Sequence, residues 1–449
     1  MADPITAISA TAPIPARLRR LAGAARRALP DAMLAIVAGT LLASAAAAAE
    51  PPALAFAKPD TVGLSGERLG RLDVWTRGLI DQGSISGAVT LVARHGKVVE
   101  LAAAGKRDLA ANLPMEKDSI FRIYSMSKPI TGVALMMLFE EGKWQLNDPV
   151  ANYVPQFSGL KVYATDARGN VTYVDQKHPM TMRELMSHTA GFTYGYFSNT
   201  PVDKLQIQAN LLDPSITLDE FIERLSKLPL NAQPGSEWHY SVSVDVQGYI
   251  VQKLSGMPFE DFLAKRIFAP LGMRDTGFYV PAGKIKRLAQ MYDYDAAGKL
   301  RIVHGGLNHD FAKKPALASG GGGLVSTAAD YLRFCQMLLN GGELGGVRLL
   351  SPRTVELMRS DMLPAGVAMP DPGLAFGLDF AIEANPVDAG GYYGKGTYFW
   401  GGAAGTWFWI DPVEDLIVIG MIQQVGSEGR SIPDMRGLSH SLVYQAITH

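Results

Sequence analysis

The chain has 449 residues, 47% of them hydrophobic and 19% charged, with a formal net charge of −1, an ordinary globular composition with room for one large domain or two small ones. Five arginines in residues 1–49 (Arg17, Arg19, Arg20, Arg26 and Arg27) stand against Asp3 and Asp31, which leaves −4 for the rest and excludes the basic surface of a nucleic-acid binder. The only cysteine, Cys335, excludes an intramolecular disulfide, so stability has to come from core packing.

Residues 1–49 read as a removable export leader: arginines, an apolar core over 33–42, then an alanine tract ending Ala47-Ala48-Ala49 before Glu50. Arg19-Arg20 and Arg26-Arg27 also resemble a weak twin-arginine signal. An uncleaved anchor is the alternative, opposed by the alanine content and by a length barely able to span. The expectation is an exported protein, periplasmic or secreted, with no stable membrane partner after leader removal.

Leu69, Leu72, Trp75, Leu79 and Ile80 recur at helical spacing after Ser65 and predict a helix, and the apolar runs 88–92 and 98–101 around Arg94-His95-Gly96-Lys97 predict a β-hairpin. Next comes the most informative stretch, Ser125-Met126-Ser127-Lys128. On a helix, residues three apart share a face, so a neutral Lys128 amine could take the Ser125 hydroxyl proton and make the serine a nucleophile. The pattern alone is weak, because Ser158-Gly159-Leu160-Lys161 repeats it. The residues C-terminal to each serine separate the two. Beyond Ser125, Ile130 and the run 133–139 are apolar on nearly all sides, which predicts a buried central helix closed by Glu141-Gly142, with Pro129 harmless in its first turn. Ser158 has no such run behind it and reads as a loop serine. The competing reading of Ser125, a capping serine beside a solvated lysine, is opposed by that burial, since a lysine opening so apolar a helix has to be desolvated or paired.

Residues 161–176 read as a hairpin turning at Asp166-Ala167-Arg168-Gly169-Asn170, either a plain surface hairpin or an insertion at a cleft mouth. Thr217-Leu218-Asp219-Glu220 is a capping box, and Val246, Ile250, Val251 and Leu254 form another apolar helix face. Ser319 and the glycines 320–323 read as a flexible turn before a capped helix, with no lysine at phosphate-loop spacing. Cys335 falls on that amphipathic helix as a packed thiol. Residues 376–380, 406–410 and 416–420 are strand-like, and a last helix spans roughly Met435 to Ile447. Strands at both ends with helices between them predict an α+β fold. An antiparallel sheet is built from both termini (about 60–124 and 310–449) around a mainly helical insert (about 125–309), all within a domain at 50–449.

Three further stretches bear on chemistry. Tyr240, just ahead of the second apolar helix, is either a core tyrosine or a phenol that relays a proton beside a cationic lysine. Trp400-Gly401-Gly402-Ala403 is either a bulge or a strand edge whose backbone N–H joins that of Ser125 in an oxyanion hole. His188 could serve a Ser-His-Asp triad, but the chain has no Gly-x-Ser-x-Gly elbow, which favours a structural histidine. The eight histidines include no His-Glu-x-x-His, so neither a metal nor another cofactor is expected.

Taken together and in this order, these motifs resemble the serine β-lactamase and penicillin-binding-protein superfamily. Within it they are most similar to the carboxylesterases related to class C β-lactamases, known as bacterial esterase family VIII, from about residue 64 to the end. Supporting phrases are Leu185-Met186-Ser187-His188-Thr189-Ala190-Gly191, the glycine run after Ser319, and Trp400-Gly401-Gly402 leading to Phe408-Trp409-Ile410-Asp411-Pro412. The resemblance implies a β-lactamase/transpeptidase-like fold with Ser125 as nucleophile, Lys128 as its activating partner and Tyr240 as general base and later acid. It also implies an oxyanion hole from Ser125 and Ala403, and a covalent acyl-enzyme resolved by water or another alcohol. Whether lysine or tyrosine first takes the proton stays open, because the two titrations are coupled.

Two departures bear on substrate. Where β-lactamases of this type carry Tyr-x-Asn, this chain has Tyr240-Ser241-Val242, and where they carry Lys-Thr-Gly it has Trp400-Gly401-Gly402, which removes a cation for the lactam carboxylate. The expectation is a small-molecule ester substrate, short-chain or aromatic, with Tyr194, Tyr196, Phe197, Trp238, Phe399 and Trp400 as pocket walls. β-Lactam or D-amino-acid amide hydrolysis and acyl transfer are same-fold alternatives. A non-catalytic ligand or peptidoglycan binder is opposed by the intact Ser125, Lys128 and Tyr240.

Overall fold

In the computed structural model, residues 53–306, 308–427 and 429–449 are described; the leader-like stretch 1–49 lies outside them. Ser65 caps a short turn by accepting from the Arg68 N–H, and α1 (Arg71–Asp81) comes next with Leu72 and Thr76 buried. The hairpin β1 (Gly87–Arg94) and β2 (Lys97–Asp108) turns at His95-Gly96, with φ of 52° and 68°, the double left-handed geometry of a tight two-residue hairpin. β3 (Leu113–Pro114) extends it.

The other strands come from the C-terminal part: β4 (Leu374–Phe376), β5 (Ala381–Glu383), β6 (Tyr398–Gly401), β7 (Trp407–Asp411) and β8 (Leu416–Met421). They form one eight-stranded sheet in the order β4-β5-β6-β7-β8-β1-β2-β3 with antiparallel neighbours. The seam joins β1 to β8 in the register Leu91 with Ile419. Every residue of β1 is buried because both sheet faces are covered, so the strand is apolar on both faces apart from Thr90 and Arg94 rather than alternating. Ala88 and Val92 face the core under α1 and α7 (Met435–Tyr444), while Val89 and Leu91 face the larger core under the remaining helices.

On that second face lie α2 (Ser127–Glu140), α3 (Pro201–Ala209), α4 (Leu218–Leu225), α5 (Ser243–Ser255) and α6 (Ala328–Leu339). α2 is buried from Ser127 to Leu138 and packs against α5. It ends where Gly142, at φ 71°, donates back to the Phe139 carbonyl. Gly132 sits inside α2 because a Cβ there would stand 2.6 Å from the Asp379 carboxylate; the glycine costs about 1 kcal/mol of helix propensity and permits that approach. Thr217 and Glu220 make the capping box that opens α4, and Cys335 is buried in α6, its thiol pushed well up by burial. Among the described residues no helix is long and apolar enough to cross a membrane.

Three local expectations need correction. The run 376–380 is not one strand: β4 stops at Phe376, and Asp379, at φ 65°, turns inward, its N–H donating to Met186 and its carboxylate accepting from Gln247. The last helix ends at Tyr444 rather than Ile447. A hairpin at Tyr292–Tyr294 and Leu300–Ile302 interrupts the helical part, where no strand was expected. The hairpin over 161–176 pairs Val162–Thr165 with Val171–Val174. Beside it Ser158 is exposed, and Lys161 is taken by Asp175 at 2.5 Å.

One half-buried acid of the sheet makes stability depend on pH. On β2, burial raises the Glu100 carboxyl to about 7 despite a 3.0 Å hydrogen bond from Thr90. Its contribution is complete below the ordinary glutamate value and is lost as pH rises towards 7, because the unfolded chain releases the proton first. Glu100→Gln is therefore expected to raise the melting temperature at pH 8 and leave it unchanged at pH 4, a gain of at most about 3 kcal/mol. Calorimetry at the two pH values checks this; an equal shift at both would refute it.

Candidate active site

The short strand Phe121–Arg122, paired with Val325–Ser326, leads into a one-turn helix, Tyr124–Met126, that precedes α2. Tyr124 takes φ 40°, a strained conformation for an aromatic residue, held by its edge-on contact with Phe311 and its hydroxyl on Met291 Sδ at 3.3 Å. This turn presents Ser125, whose Oγ accepts from the Tyr240 hydroxyl at 2.7 Å and from Lys128 Nζ at 3.4 Å. Lys128 is fully buried in the first turn of α2, so the solvated-lysine reading fails. Its Nζ donates to the Gly321 carbonyl at 2.7 Å and faces the rings of Tyr240 and Tyr194 at 4.5 and 5.0 Å.

The glycine run that reads as a flexible turn is a close-packed collar around this lysine. None of Gly320, Gly321, Gly322 and Gly323 takes a positive φ, so conformational freedom does not explain them. Space does at three of them: a Cβ on Gly320 would stand 2.6 Å from the Val244 carbonyl, one on Gly321 2.6 Å from Asp245 Oδ2 and one on Gly323 2.9 Å from the Ser319 carbonyl, whereas nothing comes closer than 3.9 Å to one on Gly322. Thr131 Oγ1 donates to the Gly320 carbonyl at 2.8 Å, and the Leu324 N–H donates to Ser127 Oγ at 3.1 Å, which ties the collar to α2. The capped helix after it is α6, with Thr327 accepting from the Asp330 N–H.

Tyr240, just ahead of α5, is the hub of five rings, the nearest being His188 at 5.0 Å. Tyr194 stacks on it at 5.3 Å, with Phe197 at 5.3 Å, Trp238 at 6.2 Å and Trp400 at 5.4 Å around it. Trp400 Nε1 also donates to the Tyr240 hydroxyl at 3.4 Å. The segment carrying Tyr194 and Phe197 is held by Asp203 in the first turn of α3. Its carboxylate accepts from Thr193, the Gly195 N–H at 2.9 Å, Ser198 at 2.5 Å and the Thr200 N–H at 2.8 Å. Burial pushes that carboxyl up, but the donors outweigh burial and hold it below the usual range.

A cleft of about 470 Å³ opens over Ser125 and Tyr240, walled by Phe197, Trp238, Phe399 and Trp400 and floored by Gly401, Gly402 and Ala403. Two expected wall residues do not line it: Tyr194 is buried behind Tyr240, and Tyr196 is 60% exposed outside. Met369, Asp371 and Arg436 line it without having been expected; Arg436, in the first turn of α7, lies with its guanidinium 4.0 Å over the Phe399 ring. Along the floor, Gly401 closes β6 opposite Trp407, and the Gly402 N–H donates to Thr406 at 2.7 Å. A Cβ on Gly402 would collide with the Ile123 carbonyl, so the glycine lets the end of β6 lie against the segment leading to Ser125. Ala403 lies in the turn just past β6 rather than in the strand.

His188 does not reach Ser125. It is buried with Nδ1 3.0 Å from Ser241 Oγ, and burial, with Lys128 nearby, keeps it neutral by lowering its pKa well below the ordinary value. Two carboxyls, Asp245 and Asp379, are wholly buried near Lys128 without touching it, and burial raises both. Among the described residues no cluster of three His, Cys, Asp or Glu side chains could hold a metal ion.

A family model described as Beta-lactamase matches residues 72–439. Protein Rv1367c of Mycobacterium tuberculosis is 38% identical over 366 residues, 77% of this chain and 88% of that protein. Esterase EstB of Burkholderia gladioli is 30% identical, covering 81% and 92%. Among solved structures, EstCE1, described as a hydrolase with promiscuous acyltransferase activity, superposes with a TM-score of 0.72 at 29% identity, covering 85% of this chain and 99% of its own.

Proposed function

The chain belongs to the Beta-lactamase family, and from that membership and the geometry at Ser125 we propose a serine hydrolase of small carboxylic esters that works through an acyl-enzyme. The observation that carries this reading is the convergence of a phenol at 2.7 Å and a buried amine at 3.4 Å on one serine oxygen at the floor of an aromatic cleft. The similarity to proteins named as an esterase and as a hydrolase supports the choice of reaction.

In this mechanism the Lys128–Tyr240 pair has to enter one proton short, as amine or as phenolate, and it takes the Ser125 proton while the serine oxygen attacks the ester carbonyl. The carbonyl oxygen becomes an oxyanion facing the N–H groups of Ser125 and Ala403, and the Tyr240 hydroxyl returns a proton to the departing alcohol. Water then attacks the acyl-serine by the same route in reverse, and an alcohol in its place gives transfer. Export is proposed as well, on the leader-like composition of residues 1–49.

Two features support esters over lactams: Val242, in the place of the Tyr-x-Asn amide, is buried and does not line the cleft, and β6 presents the Trp400 indole instead of a lysine. One feature favours the second reading, lactam or peptide-amide hydrolysis, because Arg436 brings a cation to the same cleft from α7. Side-by-side rates on a p-nitrophenyl butyrate, nitrocefin and a D-amino-acid amide decide between them. Ester kcat/KM is expected to exceed the other two by about 100-fold or more, the size of discrimination a pocket lacking a required polar partner gives; a faster lactam would reverse the assignment.

A further inference from the structure

We propose that Asp245, which touches neither the cleft nor Lys128, is a positioning residue that holds the turn Ser319–Gly321 and through it the carbonyl on which the Lys128 side chain rests. This rests on the reading of Ser125 as the nucleophile.

The chain of contacts is short and buried throughout. Asp245 is in the first turn of α5 and has no exposed surface. Its Oδ1 accepts from Ser319 Oγ at 2.6 Å and from the Gly321 N–H at 3.1 Å. The carbonyl of that same glycine accepts from Lys128 Nζ at 2.7 Å. One carboxyl oxygen therefore holds both ends of a three-residue arc, and the carbonyl at its far end sets where the amine stands. The rest of the arc is equally constrained: Gly320 lies against the Val244 carbonyl and Gly321 against Asp245 Oδ2, each leaving 2.6 Å for a Cβ.

The remaining contacts of Lys128 do not restrain it as tightly. Ring faces at 4.5 and 5.0 Å attract an ammonium but accept a range of positions, and the serine oxygen at 3.4 Å is a long contact. Among the described residues the Gly321 carbonyl supplies the short directional bond; Asp245 anchors the N–H side of that residue, and the turn that continues from it, with the Gly323 N–H donating to the Ser319 carbonyl at 2.9 Å, carries the carbonyl to the amine. Oδ2 has no hydrogen-bond partner among the described residues; it lies 2.6 Å from where a Cβ on Gly321 would stand, and the Tyr194 hydroxyl lies 3.2 Å from the same point. Burial raises the Asp245 carboxyl while Ser319, Lys128 and Gly321 oppose it. The role is thus that of an oxygen acceptor in a fixed place, which an amide can also fill.

The test compares Asp245→Ala and Asp245→Asn with the parent in two measurements, the rate of Ser125 labelling by a fluorophosphonate and the kcat and KM for p-nitrophenyl butyrate. Rates are normalised to the active fraction by the acyl burst. In Asp245→Ala, labelling and kcat are expected to fall together by about 10- to 100-fold with KM nearly unchanged, the cost of misplacing a reacting group by a fraction of an ångström to an ångström. Asp245→Asn keeps the oxygen and is expected to stay within about threefold of the parent. A parent-like labelling rate in Asp245→Ala, or an Asn variant as slow as the Ala one, overturns the proposal. If Asp245→Ala does not fold, Ser319→Ala removes one of the two donors: slower labelling supports the proposal and an unchanged rate overturns it. A parent enzyme that is not labelled at Ser125 would instead overturn the underlying reading, which separates the two failures.

Discussion

Ser125→Ala is expected to hydrolyse a short p-nitrophenyl ester about 10⁴- to 10⁶-fold more slowly than the parent, the range seen when the nucleophile of a serine hydrolase is removed. The loss falls on kcat, because the walls that hold the ester, Phe197, Trp238, Phe399 and Trp400, are untouched. Folding should be little affected: the hydroxyl contributes only its contacts with Tyr240 and Lys128, and Lys128 keeps the Gly321 carbonyl. Ser158→Ala is the matched control. It sits in the same Ser-x-x-Lys pattern but on an exposed loop, with Lys161 engaged by Asp175, and its activity should equal the parent's. Steady-state kinetics and a melting curve on both variants check the pair; residual turnover in Ser125→Ala within tenfold of the parent would refute the assignment.

Tyr240→Phe should lower kcat about 10²- to 10⁴-fold with little change in KM, which is what losing a positioned acid–base group costs. The substitution is clean because the ring stays clamped by Tyr194, Phe197, Trp238 and Trp400, so only the oxygen leaves. Two groups then lose a partner: Ser125 Oγ its 2.7 Å donor, and the Trp400 indole N–H its acceptor at 3.4 Å. Progress curves over a substrate range separate kcat from KM. A variant within threefold of the parent would move the proton relay onto Lys128 alone.

Much of this site was legible in the chain because its chemistry is local. Ser125 and Lys128 share a helix turn, and the apolar run behind them announced burial before any fold was known. Tyr240 was harder, since its partner lies far away in sequence; only its place ahead of an apolar helix pointed to it. The glycines 320–323 misled because glycine has two uses, freedom and thinness, and only three-dimensional neighbours such as the Val244 carbonyl tell which applies. The cleft walls were legible in part for a similar reason. Aromatic residues could be listed, but whether Tyr194 stands in front of Tyr240 or behind it depends on how Asp203 folds its segment. Met369, Asp371 and Arg436 arrive from a loop and a final helix that carry no chemical pattern, although a cation in the first turn of a terminal helix was a signal that could have been weighed. Residues 376–380 failed as a strand because a buried carboxylate at φ 65° overrode local propensity.

The pairing of Leu91 on β1 with Ile419 on β8 has a consequence for the order in which the molecule is made. During synthesis the β1–β2 hairpin and the serine-bearing helix leave the ribosome long before β6, β7 and β8 exist. Until then β1 offers an open, mostly apolar edge, the kind of strand that invites pairing with another chain. Loop closure over so long a segment makes docking of the last strands a late and slow event. The cleft is unfinished until then as well: Trp400 and Ala403 line it beside Ser125 only once β6 and the turn after it are in place, so the completed cleft and protection from aggregation arrive in the same step.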